Sequence, residues 1–149
     1  ETSIQLAEIE KMGYRERNHK PIVLVEDSVL LSKIIRESLV QAGYVNITKF
    51  DNGQEAWDYL SKMGEETEKE HIKDNVALMI TDIEMPLMDG HRLVKLVRED
   101  PYTADVPIII FSSLINDDMR RKGEALGANA QLSKPEIGNL VMEIDKLVL

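Results

Sequence analysis

Val76-Ala-Leu-Met-Ile-Thr-Asp82-Ile-Glu-Met-Pro-Leu-Met-Asp-Gly90 is the stretch that decides the fold. Its first six residues include five apolar ones. The run is too short for a helix and dense enough for a strand buried on both faces. A buried strand can end in a carboxylate only where the sheet ends, and ligands of open α/β sheets bind outside the carboxyl ends of the strands. Pro86 forbids further ladder hydrogen bonds, and Asp89-Gly90 supplies a tight turn. Taken alone, the segment also fits a plain strand and loop with Asp82 as a solvated terminal residue. Other segments decide between the two.

Working outward, Pro21-Ile-Val-Leu-Val25 is a second continuous apolar run, ending in Glu26-Asp27-Ser28. Two adjacent carboxylates repel, so a positive group is expected beside them. Ser28 is placed to cap a helix whose apolar stripe reads Leu30, Leu31, Ile34, Ile35, Leu39 and Ala42, with Gly43 as its stop. Val45–Phe50 reads as a shorter strand. Asn52-Gly53 opens a helix with Ala56, Trp57, Leu60 and Met63 inward, which runs on into the solvated charge run Glu65–Glu70. Beyond the central strand, a helix from His91 to Asp100 turns Leu93, Leu96 and Val97 inward and stops at Pro101. Pro107-Ile-Ile-Ile-Phe-Ser112 is a fourth buried strand. A polar helix from Asn116 to Leu126 follows, then a weak strand, Asn129–Ser133, that ends in Lys134-Pro135. A last helix, Glu136–Val148, turns Ile137, Leu140, Val141, Ile144 and Leu147 inward.

Strand and helix alternate five times without a hairpin signal, which demands an α/β fold with a parallel sheet covered on both faces. Right-handed crossovers make it a doubly wound, flavodoxin-like fold, five-stranded, with strand order 2-1-3-4-5. Strands one and three are then neighbours, and Glu26, Asp27 and Asp82 meet in the crevice between their ends.

Composition narrows the function. A chain of 149 residues, 43% hydrophobic, is one domain with a real core. Its formal charge of −9 argues against a nucleic-acid partner, which needs clustered Lys and Arg. With no Cys there is no disulfide framework or thiolate metal site, which is compatible with the cytoplasm. No apolar run reaches the length of a membrane span. Residues 1–20, with Ile4, Leu6, Ile9 and Met12 ahead of a polar run, read as a leader or linker; 21–149 read as the domain. The absence of an initial Met fits a piece of a longer protein.

The carboxyl ends of strands one, three, four and five carry Glu26 with Asp27, Asp82, Ser112 and Lys134. Three carboxylates with carbonyl oxygens form a hard oxygen site that suits Mg²⁺ rather than zinc or copper. One divalent ion plus the Lys134 ammonium neutralises the three negatives. Mg²⁺, a cationic Lys and a small hydroxyl are also what a phosphoryl group needs in transfer. A carboxylate inside that ring can attack and form an acyl phosphate, which makes Asp82 the phosphoacceptor.

These residues resemble a known set. The Glu-Asp pair, the Asp-x-x-Met-Pro-x-Met-Asp-Gly run, the hydroxyl after strand four and the Lys-Pro are similar to the receiver domain of two-component response regulators. The spacing fits too, with 30 residues from Asp82 to Ser112 and 22 from there to Lys134. The resemblance implies that a histidine kinase phosphorylates Asp82. It places Mg²⁺ on Asp27, Asp82 and the backbone carbonyl of Glu84, with Glu26 acting through water. It pairs Lys134 with the phosphoryl oxygens, makes the Lys134–Pro135 bond cis, and has Ser112 swing towards the phosphate. The Glu-Met-Pro-Leu-Met-Asp-Gly-His run, the charged second helix and the leader further resemble receivers of CheV-type chemotaxis adaptors. In those a CheW-like coupling domain comes first and links to the chemoreceptor–kinase array.

Two positions depart from the family pattern. Gln131 stands three before Lys134, where an aromatic switch residue is common, so coupled aromatic–hydroxyl rotation is in doubt. Glu84 stands two past Asp82, where a small polar group is common, and is expected to alter autodephosphorylation. Two other functions compete: a Mg²⁺-dependent phosphohydrolase with an aspartyl nucleophile and Glu84 as acid, and an interaction module that is never phosphorylated. The first leaves Glu26 and Asp27 without a role.

Overall fold

The computed structural model describes residues 16–113 and 115–149. Ile4, Leu6, Ile9 and Met12 of the expected leader lie outside the described residues, and the described part of it closes with a helical turn at 16–18. Five strands form one sheet: β1 (Ile22–Val25), β2 (Ile47–Phe50), β3 (Leu78–Thr81), β4 (Ile108–Ser112) and β5 (Ala130–Ser133). Their order is β2-β1-β3-β4-β5 and every pairing is parallel, as the strand–helix alternation predicts.

Because each central strand is buried on both faces, alternate residues feed two cores. Val23, Val25, Met79, Ile108 and Ile110 pack on one side against α2 (Gly53–Glu66) and α3 (Gly90–Glu99). On the other side, Ile22, Leu24, Ile80, Ile109 and Phe111 pack against α1 (Val29–Ala42) and α5 (Ile137–Val148). The fourth helix, α4 (Asp117–Leu126), covers the β4–β5 side of the first layer.

The helix boundaries follow local chemistry. The side chains of Ser28, Asn52, Asp89 and Asn116 accept from the backbone N–H of Leu31, Glu55, Arg92 and Met119, capping α1 to α4 in turn. Gly43 and Gly127, at φ 106° and 100°, close α1 and α4 in the left-handed conformation that glycine adopts without strain.

Three expectations are corrected. The inward face of α1 is Ser32, Ile35 and Leu39, while Leu30 and Ile34 are exposed. Apolar residues wrap most of this helix, so their pattern leaves its rotational phase open, and contact with Leu24, Tyr44 and Leu140 sets it. The second helix does not extend through the charge run. It stops at Glu66, where Thr67 turns extended, and the chain resumes as a tight turn, Lys69–His71, and one α-turn, Ile72–Asn75, that buries Ile72. Finally, no cis peptide occurs among the described residues, so the Lys134–Pro135 bond is trans. Pro135 sits in the first positions of the 3-10 turn Lys134–Glu136, where its fixed φ and missing N–H suit a helical start.

Candidate functional site

Parallel pairing aligns the strand ends and brings distant residues to one rim. Val25 lies opposite Thr81, so Glu26 and Asp82, each one residue past its strand, stand side by side. Glu26 and Asp82 are buried, whereas Asp27 is exposed. The three carboxylates offer oxygens within 4.8 Å of one another. Ser133 pairs with Ser112, so the end of β5 delivers Lys134 to the same rim. Lys134 Nζ lies 2.8 Å from Asp82 Oδ2 and 2.7 Å from Glu26 Oε1. This is the positive group that the adjacent carboxylates required.

Each oxygen is held differently. Asp82 Oδ1 accepts from its neighbour's amide, Ile83 N, at 2.7 Å, and Oδ2 accepts from Lys134. Glu26 Oε2 accepts from Ser28 N at 3.1 Å. Glu26 Oε1 is buried and faces the Lys134 ammonium. Burial raises the Glu26 pKa, against the stabilising contacts from Lys134 and Ser28 and with added repulsion from Asp82. Burial works the other way on Lys134, but its bonds to Asp82 and Glu26 outweigh it and hold the ammonium pKa above its ordinary value.

This donor set fits a hard divalent cation. Three carboxylates face one ammonium, which leaves the group short of positive charge. Oxygen donors without nitrogen or sulfur suit Mg²⁺. Ser112, at the end of β4, is buried at the same rim. The Glu84 side chain is exposed and takes no part in the buried ion pair.

The loop from Asp82 to α3 is tightly folded. Gly90 N donates to Ile83 O at 2.8 Å, and a Cβ on Gly90 would collide with the Asp82 carbonyl oxygen. Only glycine lets α3 start this close to the site. Leu87 sits at φ 68° with 82% of its surface exposed, an unfavourable conformation for a branched apolar residue. Sequence reasoning missed it, because nothing in a Pro-Leu-Met run signals a positive φ at leucine.

The response regulator receiver domain family model matches residues 22–145. The chain belongs to that family. This receiver domain is 35% identical over 121 residues to the chemotaxis protein CheV2 of Helicobacter pylori, covering 81% of this chain and 36% of that protein. It is 34% identical over 92 residues to a chemotaxis protein CheY homologue of Campylobacter jejuni, covering 62% of this chain and 63% of the homologue. Among solved structures, it is similar to the signal receiver domain of a signal transduction histidine kinase from Syntrophus aciditrophicus. That likeness has a TM-score of 0.72 at 26% identity and covers 87% of this chain and 89% of the other. The receiver thus spans little more than a third of the CheV2 length. Among the described residues, no helix is long and apolar enough to cross a membrane.

Proposed function

We propose that this receiver is a phosphorylation switch of a two-component pathway serving chemotaxis, with Asp82 as phosphoacceptor. The observation that carries it is the buried ammonium of Lys134 shared between Asp82 and Glu26, within a group of three carboxylates whose oxygens lie within 4.8 Å of one another. A self-contained ion pair would match its charges, whereas three carboxylates against one ammonium call for a further cation.

In this reading an Asp82 oxygen attacks the phosphorus of a phosphohistidine on a histidine kinase. The new O–P bond forms as the N–P bond breaks, and the imidazole nitrogen leaves with the electron pair. Glu26, Asp27, Asp82 and the backbone carbonyl of Glu84 would hold Mg²⁺, which supplies charge neutralisation for the phosphoryl oxygens when bound. Lys134 moves its ammonium from the carboxylates to the phosphoryl group, and the Ser112 hydroxyl turns towards the same oxygens. Asp82 then switches partner binding by shifting the population between two packings of the domain.

Surface chemistry supports a macromolecular donor. Val29, Leu30 and Ile34 on α1 and Leu87 in the β3–α3 loop are exposed apolar side chains on elements that leave the same rim. The likeness to CheV2 supports a chemotaxis setting in the cytoplasm. There, residues 1–20 join a coupling domain at the receptor–kinase array to residues 21–149 as the switching unit.

The hydrolase reading gives Glu26 no task, yet Glu26 is locked into the buried pair. The test is incubation of the chain with Mg²⁺ and acetyl phosphate. A stable adduct of one phosphoryl group, absent in Asp82→Asn, is expected. Rapid multiple turnover of phosphomonoesters would favour the hydrolase, and no adduct at all would leave a passive interaction module.

A further inference from the structure

At the opposite end of the sheet from Asp82, three side chains and a helix end far apart in sequence form a closed group. Arg17, ahead of β1, donates from Nε and Nη2 to the two oxygens of Asp145 on α5, at 3.2 and 2.8 Å. Its Nη1 donates to the carbonyl of Ala42, the last residue of α1, at 3.3 Å. The same guanidinium lies 5.9 Å from the centre of the Tyr44 ring, and the Tyr44 hydroxyl donates to Asp145 Oδ1 at 2.5 Å. Tyr44 is fully buried. Burial and the carboxylate push its pKa up, so it stays a donor. A planar, bidentate Arg is the side chain that can serve a carboxylate, a carbonyl and a ring together.

Asp145 sits near the end of α5, and the start of that helix belongs to the site. The turn Lys134–Glu136 runs directly into α5, whose Leu140 and Ile144 are wholly buried between the two ends. A single rigid helix therefore links the ammonium on Asp82 with the clamp on Arg17. We propose that α5 works as a lever between the carboxylate rim and the chain entering the domain. When Asp82 is phosphorylated, Lys134 is drawn outward to the phosphoryl oxygens, α5 shifts about its buried centre, and the Arg17–Asp145–Tyr44 clamp loosens. The segment ahead of β1 is then freed to move relative to the receiver. The lever rests on the reading of Asp82 as phosphoacceptor.

Linkage makes the coupling reciprocal: what loosens the clamp must favour the phosphorylated packing. The test uses the full 149-residue chain with Mg²⁺ and trifluoroberyllate, a mimic of the phosphoryl group. In the wild type, ligand addition should speed backbone amide exchange at residues 16–20 several-fold. Arg17→Ala and Asp145→Asn should each bind trifluoroberyllate about fivefold more tightly, the lower end of usual allosteric coupling. Arg17→Lys, which keeps the charge and loses the fork, should fall between. Ile72→Val, a core truncation in the opposite layer, should leave the affinity unchanged and so separates coupling from general destabilisation. Unchanged exchange at 16–20 on ligand binding, or equal affinity in wild type and Arg17→Ala, would overturn the lever alone. Failure of the wild type to bind trifluoroberyllate would overturn the phosphoacceptor reading, and the lever with it.

Discussion

Lys134 shows at the scale of one residue how little of a site's energetics is local. Its side chain is 10% exposed and its ammonium is shared by two carboxylates that are less exposed still. Removing one member of a buried charge group leaves the others uncompensated, at a cost of about 3–5 kcal/mol. Lys134→Ala is therefore expected to lower the urea midpoint strongly in metal-free buffer. Saturating Mg²⁺ should restore much of that loss, since a divalent ion can neutralise the oxygens that the ammonium leaves. If the variant is equally unstable with and without Mg²⁺, the carboxylates do not bind the ion. The sequence already carried the residue types here: an acidic pair and a strand-end Asp demanded a cation, and the Lys after the last strand was in register to supply it. Arg17 carried no such mark, because a polar run before the first strand reads alike whether its arginine is solvated or clamped to a carboxylate 128 residues away.

For whole elements the informative case is α4, where Gln131 stands in the place of an aromatic residue. Gln131 Nε2 donates to the carbonyl of Arg120 at 2.8 Å, and Arg120 Nη1 donates back to the Gln131 carbonyl at 3.3 Å. Gly123 is bare where the Gln131 side chain crosses it, so a Cβ there would strike the amide. A strand side chain thus holds the middle of a helix whose buried face is small. A hydrogen bond of this kind is worth about 1 kcal/mol. Gln131→Leu should therefore raise amide exchange within residues 117–126 about fivefold while the other helices keep their protection. Uniform change across the domain would show that Gln131 stabilises the fold at large rather than α4. The departure from an aromatic was visible in the sequence. What replaced it was not, because the partner is a backbone carbonyl and every residue has one. The α1 stripe was misjudged for a related reason: with apolar residues at 29, 30, 31, 34, 35, 39 and 40, phase is a tertiary property.

Over the whole molecule, strand order, parallel pairing and the rim of strand ends were legible because buried strands are marked by composition and their crossovers have one hand. The contents of the packed layers were less so, and His91 is the instructive omission. It is 5% exposed on α3, its Nε2 has no hydrogen-bond partner, and it faces α4. Burial lowers its pKa; Lys122 on α4 lowers it further, and Asp89 and the Met119 backbone oppose only in part. A histidine whose folded pKa lies below its unfolded value near 6.5 favours the neutral form in the native state. The unfolded chain then takes up the proton first, so this contribution to stability is complete above about pH 6.5 and is lost as pH falls through that value towards the folded pKa. Carboxylates elsewhere also respond to acid, so the comparison must be with a chain that lacks only this group. Against His91→Leu, the wild type should lose more of its urea midpoint between pH 7.5 and pH 5.5, and the gap should stop widening once both states are protonated. Parallel curves for the two proteins would mean that His91 is protonated as readily in the fold as out of it. The imidazole would then have to reach water or an acceptor through the α3–α4 seam, and the close packing of that seam would be refuted along with the pH effect.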